Sequence, residues 1–101
     1  EGFGYPIVES LACGVAVLHV KYAGGVELIP RSEWLIEPRL WRMDGVANAV
    51  RPVTDPTDWV LAARRVLDAP PEVEECRASV EHLTWPKLWP TWERWFREGL
   101  K

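Results

Sequence analysis

The sequence predicts an α/β fold with few parallel strands flanked by helices, and three observations carry that prediction. A glycine-rich loop, Gly2-Phe3-Gly4, runs directly into an apolar helix start. The run Val15-Ala16-Val17-Leu18-His19-Val20 is apolar on both faces apart from His19, the pattern of a strand buried inside a parallel sheet. From Thr54 onward, apolar residues recur at helical spacing.

The elements follow in order. Residues 6–13 form a short helix, with Pro6 at its first position, Ile7, Val8, Leu11 and Ala12 on the apolar face, and Gly14 as its stop. Residues 15–20 form the first strand. Gly24-Gly25 turns the chain, and residues 26–29 make a short helical or irregular piece closed by Pro30. A second short strand falls at 33–36. Residues 37–54 show no convincing period and are punctuated by Pro38, Gly45 and Pro52, so they read as a long loop.

Thr54 or Asp55 caps the next helix, which carries Trp59, Ala62, Ala63, Val66 and Leu67 on one side and ends at Pro70-Pro71. A further helix over 72–83 presents Val73, Cys76, Val80 and Leu83. Thr84 caps the last helix, which either kinks or begins at Pro90.

That last helix is rich in tryptophan. The chain has seven, and Trp85, Trp89, Trp92 and Trp95 lie on one stripe with Leu88, Phe96 and Leu100. Helical periodicity favours packing of the stripe onto the sheet. The alternatives are packing on a partner domain and contact with a membrane surface through Lys87, Arg94, Arg97 and Lys101, a charge diluted by Glu93 and Glu98.

Composition bounds the function. At 101 residues the chain holds at most one small domain, able to bury roughly 65% of its unfolded surface. The net charge of −3 argues against nucleic acid as a partner. Cys13 and Cys76 make no disulfide framework, although one bridge is open to them, and they suit a reducing cytosol. No apolar run approaches a membrane span, and no signal peptide is visible.

The chemistry gathers in the first nine residues. Gly2 and Gly4 let the backbone approach a ligand closely, and the helix start behind them offers free N–H groups and the positive end of its dipole to phosphate. Glu1 and Glu9 bracket that loop with seven residues between them. A carboxylate pair is unhelpful for phosphate alone. It suits a ligand with hydroxyls on both sides of a phosphate, because carboxylates accept hydrogen bonds from diols.

Glu1-Gly2-Phe3-Gly4-Tyr5-Pro6 through Glu9, then Ala12-Cys13-Gly14-Val15, then Gly24-Gly25 with Glu27-Leu28-Ile29, resembles the donor-binding segment of retaining glycosyltransferases of family 4, which have the GT-B fold. The motifs occur in order within 29 residues, and the resemblance extends more weakly to the C-terminal helices. It implies that residues 1–101 are part of a C-terminal Rossmann-like domain. No strand feeds the glycine loop, as a doubly wound domain requires, so the acceptor-binding N-terminal domain and the basic residues that neutralise the leaving diphosphate are expected outside the chain.

The resemblance further implies a nucleotide-diphosphate sugar donor (UDP- or GDP-linked) and retaining transfer to an unspecified acceptor, without metal or other cofactor. Glu9 would bind the ribose diol, and Glu1 would act beside the transferred sugar as the catalytic carboxylate. Gly2, Phe3, Gly4 and Tyr5 would meet the sugar and diphosphate. A cytoplasmic setting follows, with peripheral membrane contact as an option for the full-length protein. Ala16 departs from the frequent proline of the family's strand, and the loop over 37–54, with Arg39, Trp41, Arg42 and Arg51, exceeds the usual connection.

Other chemistries are less well supported. A glycosidase pair needs a carboxyl with a raised pKa, and nothing in the sequence supplies one. The third glycine of a dinucleotide fingerprint is Ile7. Cys13, His19, Cys76 and His82 match no zinc spacing, so His19 reads as a satisfied strand residue and Cys13 as a small buried one. Ser10 lacks a nucleophile elbow. Glu27 either fixes its own loop or touches the donor phosphates. The reading of another class is a non-catalytic module that binds a protein partner through the Trp-rich helix. A strand at 15–20 needs neighbours on both sides, which predicts self-association of the chain.

Overall fold

The computed structural model describes residues 3–100. Helix α1 spans Tyr5–Ala12, strand β1 His19–Val20, helix α2 Gly25–Leu28 and strand β2 Leu35–Ile36. Strands β3 (Leu40–Asp44) and β4 (Ala49–Val53) follow, then helices α3 (Pro56–Asp68), α4 (Val73–Val80) and α5 (Trp85–Gly99). The class is mixed helix and strand with a small parallel sheet.

Helix α1 starts and stops on glycine. Gly4 sits at its N-cap with φ of 85°. At the other end Gly14 has φ of 81°. Gly14 N–H donates to the Leu11 carbonyl and Val15 N–H to the Ser10 carbonyl, the paired bonds of a Schellman stop. The Arg77 guanidinium of α4 adds a bond to the Ala12 carbonyl, joining the two helices.

Strands β1 and β2 pair in parallel, His19 opposite Leu35 and Val20 opposite Ile36, with α2 in the crossover between them. This sheet is shorter than expected. Only His19 and Val20 of the 15–20 run have a ladder partner, and residues 16–18 instead pack their side chains on the core. Glu33 and Trp34 belong to a 3-10 turn, Ser32–Trp34, rather than to the second strand. That turn drives Trp34 into the core, where it is 2% exposed.

Ile7, Leu11, Ile29, Trp34, Cys76 and Val80 form the buried cluster, with Val17, Leu18, Leu28 and Val66 packed around it. Cys76 is buried there and Cys13 is exposed, which corrects the expectation of a buried Cys13; both are free thiols. Arg31 closes the cluster's edge by donating two hydrogen bonds to the Glu75 carboxylate while its guanidinium lies 5.4 Å from the Trp34 ring. These bonds hold the Glu75 carboxyl below its ordinary range.

Residues 37–54 are not a loop. They form an antiparallel hairpin in which Leu40 pairs with Val53, Arg42 with Arg51 and Asp44 with Ala49. The Asp44 carboxylate organises the turn by accepting from the amides of Val46 and Ala47. Two contacts dock the hairpin. Arg39 makes a two-point bond to Asp58 in the first turn of α3, at 2.7 Å for each oxygen. Trp41 meets Tyr22 edge-on at 5.7 Å.

Asp55 is the cap of α3, accepting from the Thr57 amide, while Thr54 accepts from the Trp59 indole N–H. The helix expected over 72–83 gives way at Val80 to a 3-10 turn, Glu81–Leu83. Helix α5 continues through Pro90. None of its residues is buried, so its stripe does not pack on the sheet: Trp85 is 73% exposed and Trp92 43%. No helix among the described residues is long and apolar enough to cross a membrane.

Candidate functional site

The glycine loop, the end of β1 and the turn before α2 meet at one cleft. Phe3 and Gly4, His19, and the turn residues Tyr22, Ala23, Gly24 and Gly25 line it, around a volume of about 130 Å³. Local rules place each piece. Gly4 caps α1 in the left-handed conformation, Pro6 brings no N–H to the first turn, and the Ile7 amide donates to the Gly4 carbonyl at 3.0 Å. His19 opens the two-residue strand β1, whose carboxyl end at Val20 runs into the turn carrying Tyr22 and Gly24-Gly25.

The His19 ring is fixed. Its Nδ1–H donates to the Val20 carbonyl at 2.6 Å, as expected of a satisfied strand histidine. Its edge lies so close to Gly25 that a Cβ there would come within 2.4 Å of Cε1. Gly25 is therefore required by space, not by backbone angle.

The expected site residues divide by position. Phe3 and Gly4 line the cleft, with Gly4 itself buried. Tyr5 is exposed and does not line the cleft, its ring 5.3 Å from that of Phe3. Glu9 is exposed one turn further along α1, on the same face as Tyr5, and is not among the residues that line the cleft. Glu1 and Gly2 lie outside the described residues. Glu27 is exposed in the first turn of α2, its amide bonded to the Gly24 carbonyl. Among the described residues no group of His, Cys, Asp and Glu can hold a metal ion.

Five cleft residues were not expected as site members: His19, Tyr22, Ala23, Gly24 and Gly25, of which the Gly24-Gly25 pair was noted only as a turn and as part of the family resemblance. The available signal was positional: a lone histidine in an apolar run a few residues before a Gly-Gly turn. A second groove, of about 450 Å³, adjoins the cleft and shares His19 and Tyr22 with it. Its remaining lining is Val20, Ala49, Arg51 and Pro52, so the hairpin forms one wall. The cleft alone is smaller than the roughly 300–1,000 Å³ of a small-molecule site, whereas the groove falls within that range.

With the fold and cleft defined, the molecule belongs to the broad class of mixed α/β units with a glycine-bordered crevice at a strand end. Comparison takes it no further: no protein-family model matches the chain, and neither the curated proteins nor the solved structures contain a match.

Proposed function

We propose that the chain is the donor-binding part of a retaining GT-B glycosyltransferase and that the cleft receives a nucleotide-diphosphate sugar. One observation carries this reading: the glycine loop, the His19 end of β1 and the Gly24-Gly25 turn, separate in sequence, border one crevice. The amides of Phe3, Gly4 and Tyr5 supply donors for the diphosphate at the start of α1. Glu9, on the exposed face of α1, accepts hydrogen bonds from the ribose diol. Glu1 orients a sugar hydroxyl or stabilises positive charge developing at the anomeric carbon. The acceptor is bound by a separate domain on which the exposed face of α5 packs, in a cytoplasmic setting.

The experiment is calorimetric titration with UDP-glucose and GDP-mannose, beside a Glu9→Ala variant. Saturable binding that weakens roughly tenfold or more in the variant is expected, since a charged hydrogen-bond acceptor is lost. Equal binding by both proteins contradicts the assigned role of Glu9.

A separate observation, the exposed aromatic face of α5, favours a second reading: a non-catalytic module that binds a protein partner through this helix. A chain that binds neither donor but associates through Trp89 and Trp92 fits that reading instead.

A further inference from the structure

We propose that the groove between β1 and the hairpin, lined by His19 and Arg51 among others, is an anion subsite in which Arg51, with Arg42 beside it, holds a phosphoryl group of a ligand lying along the glycine-loop cleft.

The hairpin register is the first ground. Arg42 and Arg51 are direct cross-strand partners, and like charges in that position oppose pairing. One carboxylate answers them: Asp44 meets Arg51 Nε at 2.8 Å. Asp44 is already engaged by the turn amides of Ala47 and Val46, which together with Arg51 hold it below the ordinary carboxylate range. Arg42 has no ion-pair partner among the described residues, so two guanidinium groups face one carboxylate. A pairing rule broken in this way marks a place where function, not folding, selects the residues.

The groove is the second ground. Arg51 lines it together with His19 and Tyr22, and its side chain is 61% exposed. The ion pair engages Nε, and the terminal amino groups donate no hydrogen bond among the described residues. A guanidinium fork matches two phosphoryl oxygens, and the Tyr22 hydroxyl can donate to a third. His19 and Tyr22 also border the glycine-loop cleft, so one ligand can occupy both spaces. The subsite deepens the donor reading and rests on it for the ligand's identity; the groove and its charge stand without it.

The test is an amide and arginine Nε NMR titration of the full chain with inorganic pyrophosphate, repeated with UDP-glucose. The variants are Arg51→Ala and, in case that hairpin is perturbed, Arg42→Ala. Saturable shifts confined to His19, Tyr22, Ala49 and Arg51 are expected for pyrophosphate. Arg51→Ala should weaken them about tenfold and Arg42→Ala less, on the scale of lost charge-assisted bonds. Absent shifts, or shifts indifferent to both substitutions, overturn the subsite. UDP-glucose binding that needs Glu9 but not Arg51 overturns the subsite and leaves the donor reading standing. Arg51-dependent pyrophosphate binding without UDP-glucose binding does the reverse.

Discussion

Gly14 combines two constraints at one position. Its φ of 81° lies in the left-handed region, and a Cβ there would come within 2.4 Å of Val73 Cγ1. A Gly14→Ala variant therefore meets both backbone strain and overpacking between α1 and α4. The expected loss is about 2 kcal/mol or more, from roughly 1–2 kcal/mol for a left-handed non-glycine residue with the clash added. Urea unfolding checks this, and an unchanged midpoint would contradict the Schellman stop. Gly14 was legible in the sequence because a helix stop is a local requirement. Burial was less so: nothing local distinguishes Cys13, which points to solvent, from Cys76 in the core, since the packing of α4 against α1 decides it.

At the scale of elements, helix positions were legible and sheet pairing was not. Pro6, Asp55-Pro56 and Thr84 mark helix starts through capping and proline chemistry within a few residues. A strand is defined by its partner, so an apolar run at 15–20 overstated β1, and the hairpin was missed altogether. Its signal was present in Asp44-Gly45 between two β-rich runs, a strong short-range turn cue. The arginines and prolines around it concealed the alternation.

The hairpin's tie to α3 gives a pH prediction. Hydrogen bonds from Arg39 hold the Asp58 carboxyl below its ordinary range. A carboxylate with a lowered folded pKa contributes stability above its unfolded value of about 3.9 and loses it as pH falls through the folded value. Docking should hold from neutral pH to about 4 and weaken below that, read from the Arg39 and Leu40 amide signals. An Asp58→Asn variant should remove this step, while the same acid transition in the variant would show that another group carries it.

The whole molecule is open and flat. Its radius of gyration is 17.0 Å, against about 13 Å for a compact domain of about 100 residues. The extents of 52 × 41 × 16 Å have the same meaning: α5 and the hairpin stand away from a small core. The aromatic stripe of α5 is uncovered, with Trp85, Trp89, Trp95 and Phe96 each more than half exposed. Large exposed apolar patches mark interaction surfaces or drive self-association. In the absence of another partner the chain should self-associate, as read by sedimentation velocity, and Trp89→Glu with Trp92→Glu should return it to monomer. A wild-type chain that stays monomeric at all concentrations would contradict this. Of the candidate site, the glycine loop was legible because its motif is contiguous. His19, Tyr22 and Arg51 were not, because only the fold brings β1, the Gly-Gly turn and the hairpin together.

The central claim is that the glycine-loop cleft binds a nucleotide-diphosphate sugar, and the most direct measurement is the calorimetric titration of the chain with UDP-glucose and GDP-mannose, with Glu9→Ala alongside. The account predicts saturable binding of one donor that the substitution weakens by an order of magnitude or so, as the loss of a charged acceptor should. Donor binding of equal strength in both proteins, or binding of neither donor by the wild-type chain, would contradict it.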